Sequence, residues 1–428
     1  MRRLWELDAL RGLMLVLMTL THLPTRLTSP TGQPFGFVSA AEGFVLLSAC
    51  MAGMVYSRIG RRDGVAAMRR ALWRRSFKIY LCQAGTLLFL FTVIAAVGIQ
   101  VDQPAVRNLM SFYFAEPYTA LLGALALVYQ PPLLDILPLY ILFMLISPWL
   151  LAHAQWHGWA GIMAVSVSLW VLAQFGLGVW IHDLAVQWFG LPVPVHETGA
   201  FATFGWQFLW VFGLWLGAAK PKDPTLAAWR MHLPPWSVNV AIGFALVAFV
   251  WRHVIGQAPF GANVGLNLMW DKWQLAPLRL LNLFALLVLT LHFGPWLSRR
   301  LPRMSWLETM GSAALPVFCT HLVLVLLTLA IWGGKFTARP WWGDVLLLAA
   351  CGAIMYGVAR VSQWVDRAPQ KRRITRARQR AQLRAETRLP GIDPVEVPIA
   401  PPPGSPVDVL LELPEKPRPG ISAMPSPT

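Results

Sequence analysis

The chain has 428 residues, of which 56% are hydrophobic and only 13% are charged, and its mean hydropathy is +0.52. Soluble globular chains carry roughly 25% charged residues, so this composition excludes a soluble enzyme, a disordered chain and a secreted disulfide scaffold. The apolar runs are continuous and do not alternate, which excludes a membrane β-barrel. The composition therefore predicts an all-α polytopic membrane protein.

The net charge of +16 does not indicate nucleic-acid binding, because the basic residues lie in short clusters between apolar spans. Such clusters follow the positive-inside pattern of cytoplasmic loops. We therefore expect a multi-pass protein of the bacterial inner membrane with both termini in the cytoplasm. The clusters comprise the Lys and Arg residues between Arg58 and Lys78, Lys220 with Lys222 and Arg230, Arg299 with Arg300 and Arg303, and an Arg-rich run after Asp366.

About ten stretches are long and apolar enough for a bilayer, which needs about 20 residues per helix. The predicted spans are 8–25, 36–57, 79–99, 133–152, 158–180, 204–219, 235–252, 276–297, 306–331 and 343–363. Residues 118–130 are apolar but short, and we expect them to be re-entrant or interfacial. Residues 1–366 form the predicted membrane domain, and residues 367–428 form a basic and then Pro-rich cytoplasmic tail, which we expect to be disordered.

The first span carries the strongest functional signal, because ionisable residues inside a membrane are costly and are kept for a purpose. Only ten residues separate Arg11 from His22. At about 100° and 1.5 Å per residue, the two side chains lie about 20° apart around the helix and about 16 Å apart along it. Asp8 precedes Arg11 by three residues and is placed to form an ion pair with it.

Further polar residues occur at the ends of other spans, on the side where His22 is predicted to lie. Together they predict a polar cavity open to the periplasm. No sequence motif for a metal site, a phosphate-binding loop or a nucleophile elbow occurs, so we expect no metal and no bound cofactor. The four cysteines are expected to be buried thiols. The polar residues are Glu42, Asp135, Trp206, Gln207, Lys272, Arg279 and His321.

The stretch RLWELDALRGLMLVLMTLTH, followed by SAAEGFVLLSACMAGMVYSR, resembles the OpgC family. Arg11 and His22 match the Arg and His, ten residues apart, that mark the first span of the wider superfamily of sugar O-acyltransferases. The similarity continues in DILPLY from Asp135, in Trp206-Gln207, in the segment from Lys272 to Arg279, and in the VFxxH pattern that ends at His321.

The resemblance implies an enzyme that moves a succinyl group from cytoplasmic acyl-CoA to hydroxyls of a periplasmic glucan. His22 would be the general base, Arg11 would help to position the donor, and Asp8 would hold Arg11 in place. Glu42 or Asp135 would orient the imidazole, and Trp206 and Gln207 would contact the sugar. His321, Lys272 or Arg279 would stabilise the oxyanion or the succinyl carboxylate. A glucan synthase and membrane lipid are the further partners that it suggests.

Three alternatives remain at this point. The chain could O-acetylate another cell-surface polysaccharide, since the residues do not name the acyl group. Buried polar residues in many spans also suit a transporter or flippase, although the duplicated halves of many transporters are absent from the sequence. Third, the chain could be a non-catalytic membrane partner of a glycan synthase, and such a protein would not need His22.

Overall fold

The computed structural model describes residues 4–219, 234–256, 258, 260–333 and 339–386. Within these ranges the chain is helical, with no strands. The cations Lys220, Lys222 and Arg230 and the Pro-rich tail beyond residue 386 lie outside the described residues.

The helices fall into long spans and short connecting pieces. The first half contains α1 Trp5–His22, α2 Thr28–Thr31, α3 Ala40–Asp63, α4 Val65–Phe89, α5 Ala95–Gln100, α6 Pro104–Leu109, α7 Ser111–Ala115, α8 Pro117–Leu125 and α9 Ile136–His157. The second half contains α10 Ala160–Gln174, α11 Leu177–Phe189, α12 Thr203–Ala218, α13 Pro235–Val254, α14 Val264–Asn267, α15 Pro277–Arg300, α16 Ser305–Ser312, α17 Ala314–Trp332 and α18 Trp341–Glu386. A π-helical turn, Leu90–Ile94, joins α4 to α5, and 3₁₀ turns cover Val195–Glu197 and Leu268–Trp270.

The prediction of an all-α multi-pass membrane protein is confirmed. Among the described residues, seven helices are long and apolar enough to cross a bilayer, and the bent pair α10–α11, with an angle of 80°, makes an eighth. Each of the ten predicted spans falls on a helix. The count is lower than ten because α1 contains Glu6, Asp8 and Arg11, and α12 has only 16 residues. The predicted interfacial piece forms the nine-residue α8.

The chain divides into two compact units, Met1–Arg367 and Ala368–Thr428. The first unit contains the membrane spans and the polar residues singled out above. Of the second unit, the structure describes residues 368–386, which are helical.

Local sequence explains why α3 and α15 begin where they do. Ser39 and Glu42 form a capping box at the start of α3, in which each side chain meets the backbone N–H groups that a helix leaves without partners. Pro277 occupies the first turn of α15, where its missing N–H would have had no partner in the helix. Both devices place a helix end, and with it a charged residue, close to the polar cavity described below.

Small residues allow the closest helix packing. Gly213 and Gly217 of α12 face Leu46 and Cys50 of α3, so the two helices approach backbone to backbone. Gly311 of α16 lies against the Asp8 carbonyl of α1 in the same way. In lipid, where apolar side chains gain little from meeting one another, such close backbone contact is a main source of helix association.

We expect Gly311→Ala to destabilise the protein, because the added Cβ would overlap the Asp8 carbonyl oxygen and the Gly12 nitrogen, which are backbone atoms. Overpacking of this kind costs roughly 1–3 kcal/mol. Gly352→Ala in α18 is the matched control, since a Cβ there meets nothing within 4 Å. Thermal unfolding in detergent should show a lower Tm for the first variant alone. Equal melting of the two variants would contradict this account of the α1–α16 contact.

Candidate active site

A cavity of about 670 Å³ lies where the end of α1 meets the starts of α3 and α9. We call it the His22 cavity. Its wall is completed by the 25–33 loop, by Phe318 of α17, and by the loop residues Ala200–Phe201 and Lys272–Trp273. This volume is in the range of small-molecule sites. The structure therefore brings the ends of several distant segments to one polar pocket.

Two histidines meet at the wall of this cavity. His22 Nδ1 lies 3.0 Å from Nε2 of His321, and the two rings stack with centroids 5.2 Å apart. His22 lines the cavity, whereas His321 is completely buried behind it. The contact fixes the orientation of the His22 ring and directs its Nε2 edge away from His321.

Asp135 and Lys272 line the same cavity. The Asp135 carboxylate accepts a hydrogen bond of 3.2 Å from the Ala200 N–H, and burial raises the pKa of this carboxyl to about 6. The Lys272 ammonium lies 4.7 Å from the centre of the Trp273 ring and 5.6 Å from that of Phe201. Its neighbour Asp271 accepts from the Gln274 N–H. Asp271 therefore stabilises the backbone of the loop.

Glu42 and Arg279 form a buried ion pair behind the cavity wall. Their side chains are 0% and 2% exposed. Glu42 also accepts from the N–H and hydroxyl of Ser39, and Arg279 donates to the Trp270 carbonyl at 3.3 Å. A charge pair removed from water needs such extra hydrogen bonds to offset its desolvation. The pair ties α3 to α15 and does not line the cavity.

Arg11 lies at a second, smaller cavity of about 20 Å³, which we call the Arg11 cavity. Its guanidinium is 3.9 Å from the Asp8 carboxylate and 3.1 Å from the Met51 sulfur. Arg75 of α4 lines the same cavity. Two arginines from different helices thus line one small cavity.

The two cavities share two wall residues, Ile136 and Phe318, which we call the septum. Both are buried, and the Phe318 ring stacks on Phe44 with a centroid distance of 5.8 Å. The septum is apolar, and its two residues line both the Arg11 cavity and the His22 cavity.

Trp206 and Gln207 lie away from the His22 cavity. The Trp206 indole donates to the Trp273 carbonyl at 3.1 Å, and so supports the loop that carries Lys272. Gln207 is bound to Ser166 of α10 through its carbonyl oxygen, at 2.8 Å, and through its amide nitrogen, at 2.7 Å. It lines an apolar cleft between α9, α10 and α12.

Sequence reasoning missed the septum, because Ile136 and Phe318 are apolar residues in apolar helices and carry no local signal. Ser39 was recognisable from its spacing of three residues to Glu42, which is the capping-box pattern. Among the described residues, none of the four cysteines forms a disulfide bond; Cys50 and Cys351 are buried, and Cys82 and Cys319 are half-buried. In the described ranges, no three His, Cys, Asp or Glu side chains come together as a metal would require.

Comparison with known families matches the family described as OpgC protein over residues 3–367. The chain belongs to the OpgC family. Membership implies a role in the succinylation of osmoregulated periplasmic glucans, and hence an acyl donor and a glucan acceptor. A search of curated proteins and a search of solved structures gave no match. The match covers every residue that lines the two cavities.

We expect Glu42→Gln to destabilise the protein strongly, because Arg279 would remain buried without its counter-charge. Breaking a buried pair from one side costs roughly 3–5 kcal/mol. Glu308→Gln removes a carboxylate that pairs with the exposed Arg303 and should cost at most about 1 kcal/mol. Thermal unfolding in detergent compares the two. Similar losses in both variants would show that the buried pair is not a main support of the α3–α15 contact.

Proposed function

We propose that this OpgC family member is an O-acyltransferase that moves a succinyl group from acyl-CoA to a glucan hydroxyl, with His22 as general base. The observation that carries the proposal is the His22–His321 contact at the wall of a cavity of about 670 Å³. We infer the tautomer in which His22 Nδ1 donates to His321, which leaves His22 Nε2 as the nitrogen that can accept a proton.

One group, His22, can then carry out both proton transfers of the reaction, from the sugar hydroxyl and to the CoA thiolate. His22 Nε2 takes the proton of the sugar hydroxyl while the hydroxyl oxygen attacks the thioester carbonyl. The carbon–sulfur bond breaks, an ester forms, and the CoA thiolate takes the proton from His22. A positioned base of this kind contributes typically about 10²–10⁴-fold to the rate. His321 acts as a positioning residue, because it holds His22 in the required orientation.

The donor is proposed to enter from the Arg11 side. Arg11 and Arg75 supply two cations at the Arg11 cavity, and the end of α3 and the start of α4 carry the other cations of the Arg58–Lys78 segment. Guanidinium groups suit the phosphates of CoA. Asp8 holds Arg11 in place at 3.9 Å. The excess of Lys and Arg in this segment supports a cytoplasmic location for this side and an inner-membrane location for the protein.

The first experiment compares periplasmic glucans, by mass spectrometry, from cells that carry the wild type, a deletion, His22→Ala or His196→Ala. We expect the deletion and His22→Ala to lose the succinyl groups, because the base is missing, with activity reduced about 10²–10⁴-fold. His196 is an exposed histidine outside the cavity, so its variant should succinylate normally. His321→Gln, which keeps a hydrogen-bonding group beside His22, should retain part of the activity.

Normal succinylation by a well-expressed His22→Ala protein would exclude His22 as the general base. Unchanged glucans in the deletion strain would favour a transporter. Loss of an acetyl group from another polysaccharide would favour O-acetyl transfer instead.

The septum gives a second test, since a donor that enters at Arg11 has to pass Ile136 and Phe318 to reach His22. Phe318→Trp should narrow this passage and abolish transfer from succinyl-CoA. A short succinyl thioester of N-acetylcysteamine, supplied on the His22 side, avoids the septum and should still react. Phe293→Trp, an exposed position on α15, is the control.

Protein reconstituted into sealed vesicles, with the donor supplied on a chosen side and a glucan acceptor on the His22 side, distinguishes the outcomes for Phe318→Trp. Equal losses with both donors would assign Phe318 to the acceptor pocket. Normal transfer with both would mean that the donor takes another route.

A further inference from the structure

Lys272 is the half-buried cation of the His22 cavity. It lies in the loop before α15, on the cavity wall shared with His22 and Asp135. Its ammonium is held above two aromatic rings, 4.7 Å from the centre of Trp273 and 5.6 Å from that of Phe201. Trp206 supports this loop by donating to the Trp273 carbonyl. The cation is therefore presented to the cavity from a fixed position.

The carboxylates nearest to Lys272 already have partners. Glu42 is paired with Arg279 and accepts from Ser39. Asp135 accepts from the Ala200 N–H. Among the residues that the structure describes, no carboxylate lies within the 4.0 Å of an ion pair from the Lys272 ammonium. Burial also lowers the pKa of Lys272, because the charged form loses water.

A cation in this position is stabilised when an anion enters the cavity. The two rings beside it provide apolar walls, and a charge pair formed away from water is stronger than one in solvent. A dicarboxylic acyl group meets both conditions, because its methylene groups separate the reacting carbonyl from a terminal carboxylate. The reacting carbonyl has to reach His22, on the same cavity wall.

We propose that Lys272 binds the terminal carboxylate of the acyl group and so selects succinyl over neutral acyl groups. This inference rests on the proposed function, and it assigns recognition of the terminal carboxylate to Lys272. Arg279 does not fill this role, because its guanidinium is paired with Glu42 and stands behind the wall. His321 is buried behind His22. Arg26, the other cation on the cavity wall, donates to the Arg339 carbonyl at an exposed position.

The test measures kcat/KM of purified protein in detergent with succinyl-CoA and with butyryl-CoA, a donor of similar length without the carboxylate. A glucan is the acceptor. The variants are Lys272→Met, which removes the charge, and Lys272→Arg, which keeps it. Arg300→Met is the matched control, because Arg300 also lies over an aromatic ring, Trp296, outside the cavity.

We expect Lys272→Met to lower kcat/KM for succinyl-CoA by about 10- to 100-fold, the usual loss when a hydrogen bond to a charged group is removed. Its kcat/KM for butyryl-CoA should stay within about threefold of the wild type, which also shows that the variant is folded. Lys272→Arg should retain the preference for succinyl-CoA, and Arg300→Met should match the wild type with both donors.

Two results would overturn the assignment. Equal losses with both donors would make Lys272 a stabiliser of the oxyanion or of the fold, and an unchanged preference would place the carboxylate elsewhere. A wild type that transfers neither donor would instead contradict the proposed function, so the two failures are distinguishable.

Discussion

The length and rigidity of α1 constrain everything else in this molecule. One unbroken helix, Trp5–His22, carries Arg11 and His22 on one face, and eleven residues of helix keep them about 16 Å apart. The Cα atoms of the two residues cannot approach each other unless the helix breaks. The two cavities are therefore built at fixed depths. The rest of the bundle, including α16 against Gly12 and α17 behind His22, supports that one element.

The charges are arranged so that each buried group has a defined task. Glu42 and Arg279 neutralise each other and join α3 to α15. Asp8 lies within 3.9 Å of Arg11, and Asp135 receives a backbone N–H. Asp135 and Lys272 line the His22 cavity, where Lys272 lies over two aromatic rings. Because buried charge is costly, the charged groups that join helices are paired with each other, whereas those on the cavity wall are held by backbone or aromatic neighbours.

Sequence predicted much of this arrangement and failed at a recognisable point. Helical phase alone placed Arg11 and His22 on one face. The predicted membrane topology put Asp135 and Lys272 on the same side of the membrane as His22, and both line the His22 cavity. The contact between His22 and His321 depends on how α1 packs against α17, which no local pattern encodes. Trp206 and Gln207 looked like pocket residues because they are polar, but their partners are the Trp273 carbonyl and Ser166. Polarity indicates that a residue needs a partner, and packing decides which one.

The septum of Ile136 and Phe318 has a consequence for the cell as well as for the reaction. A protein that passes an acyl group from one membrane face to the other needs a route through the bilayer, and an open route would also conduct protons. Buried apolar side chains such as these exclude the water that proton conduction requires. For the proposed donor route past Ile136 and Phe318, this predicts acyl transfer without proton leakage across the membrane.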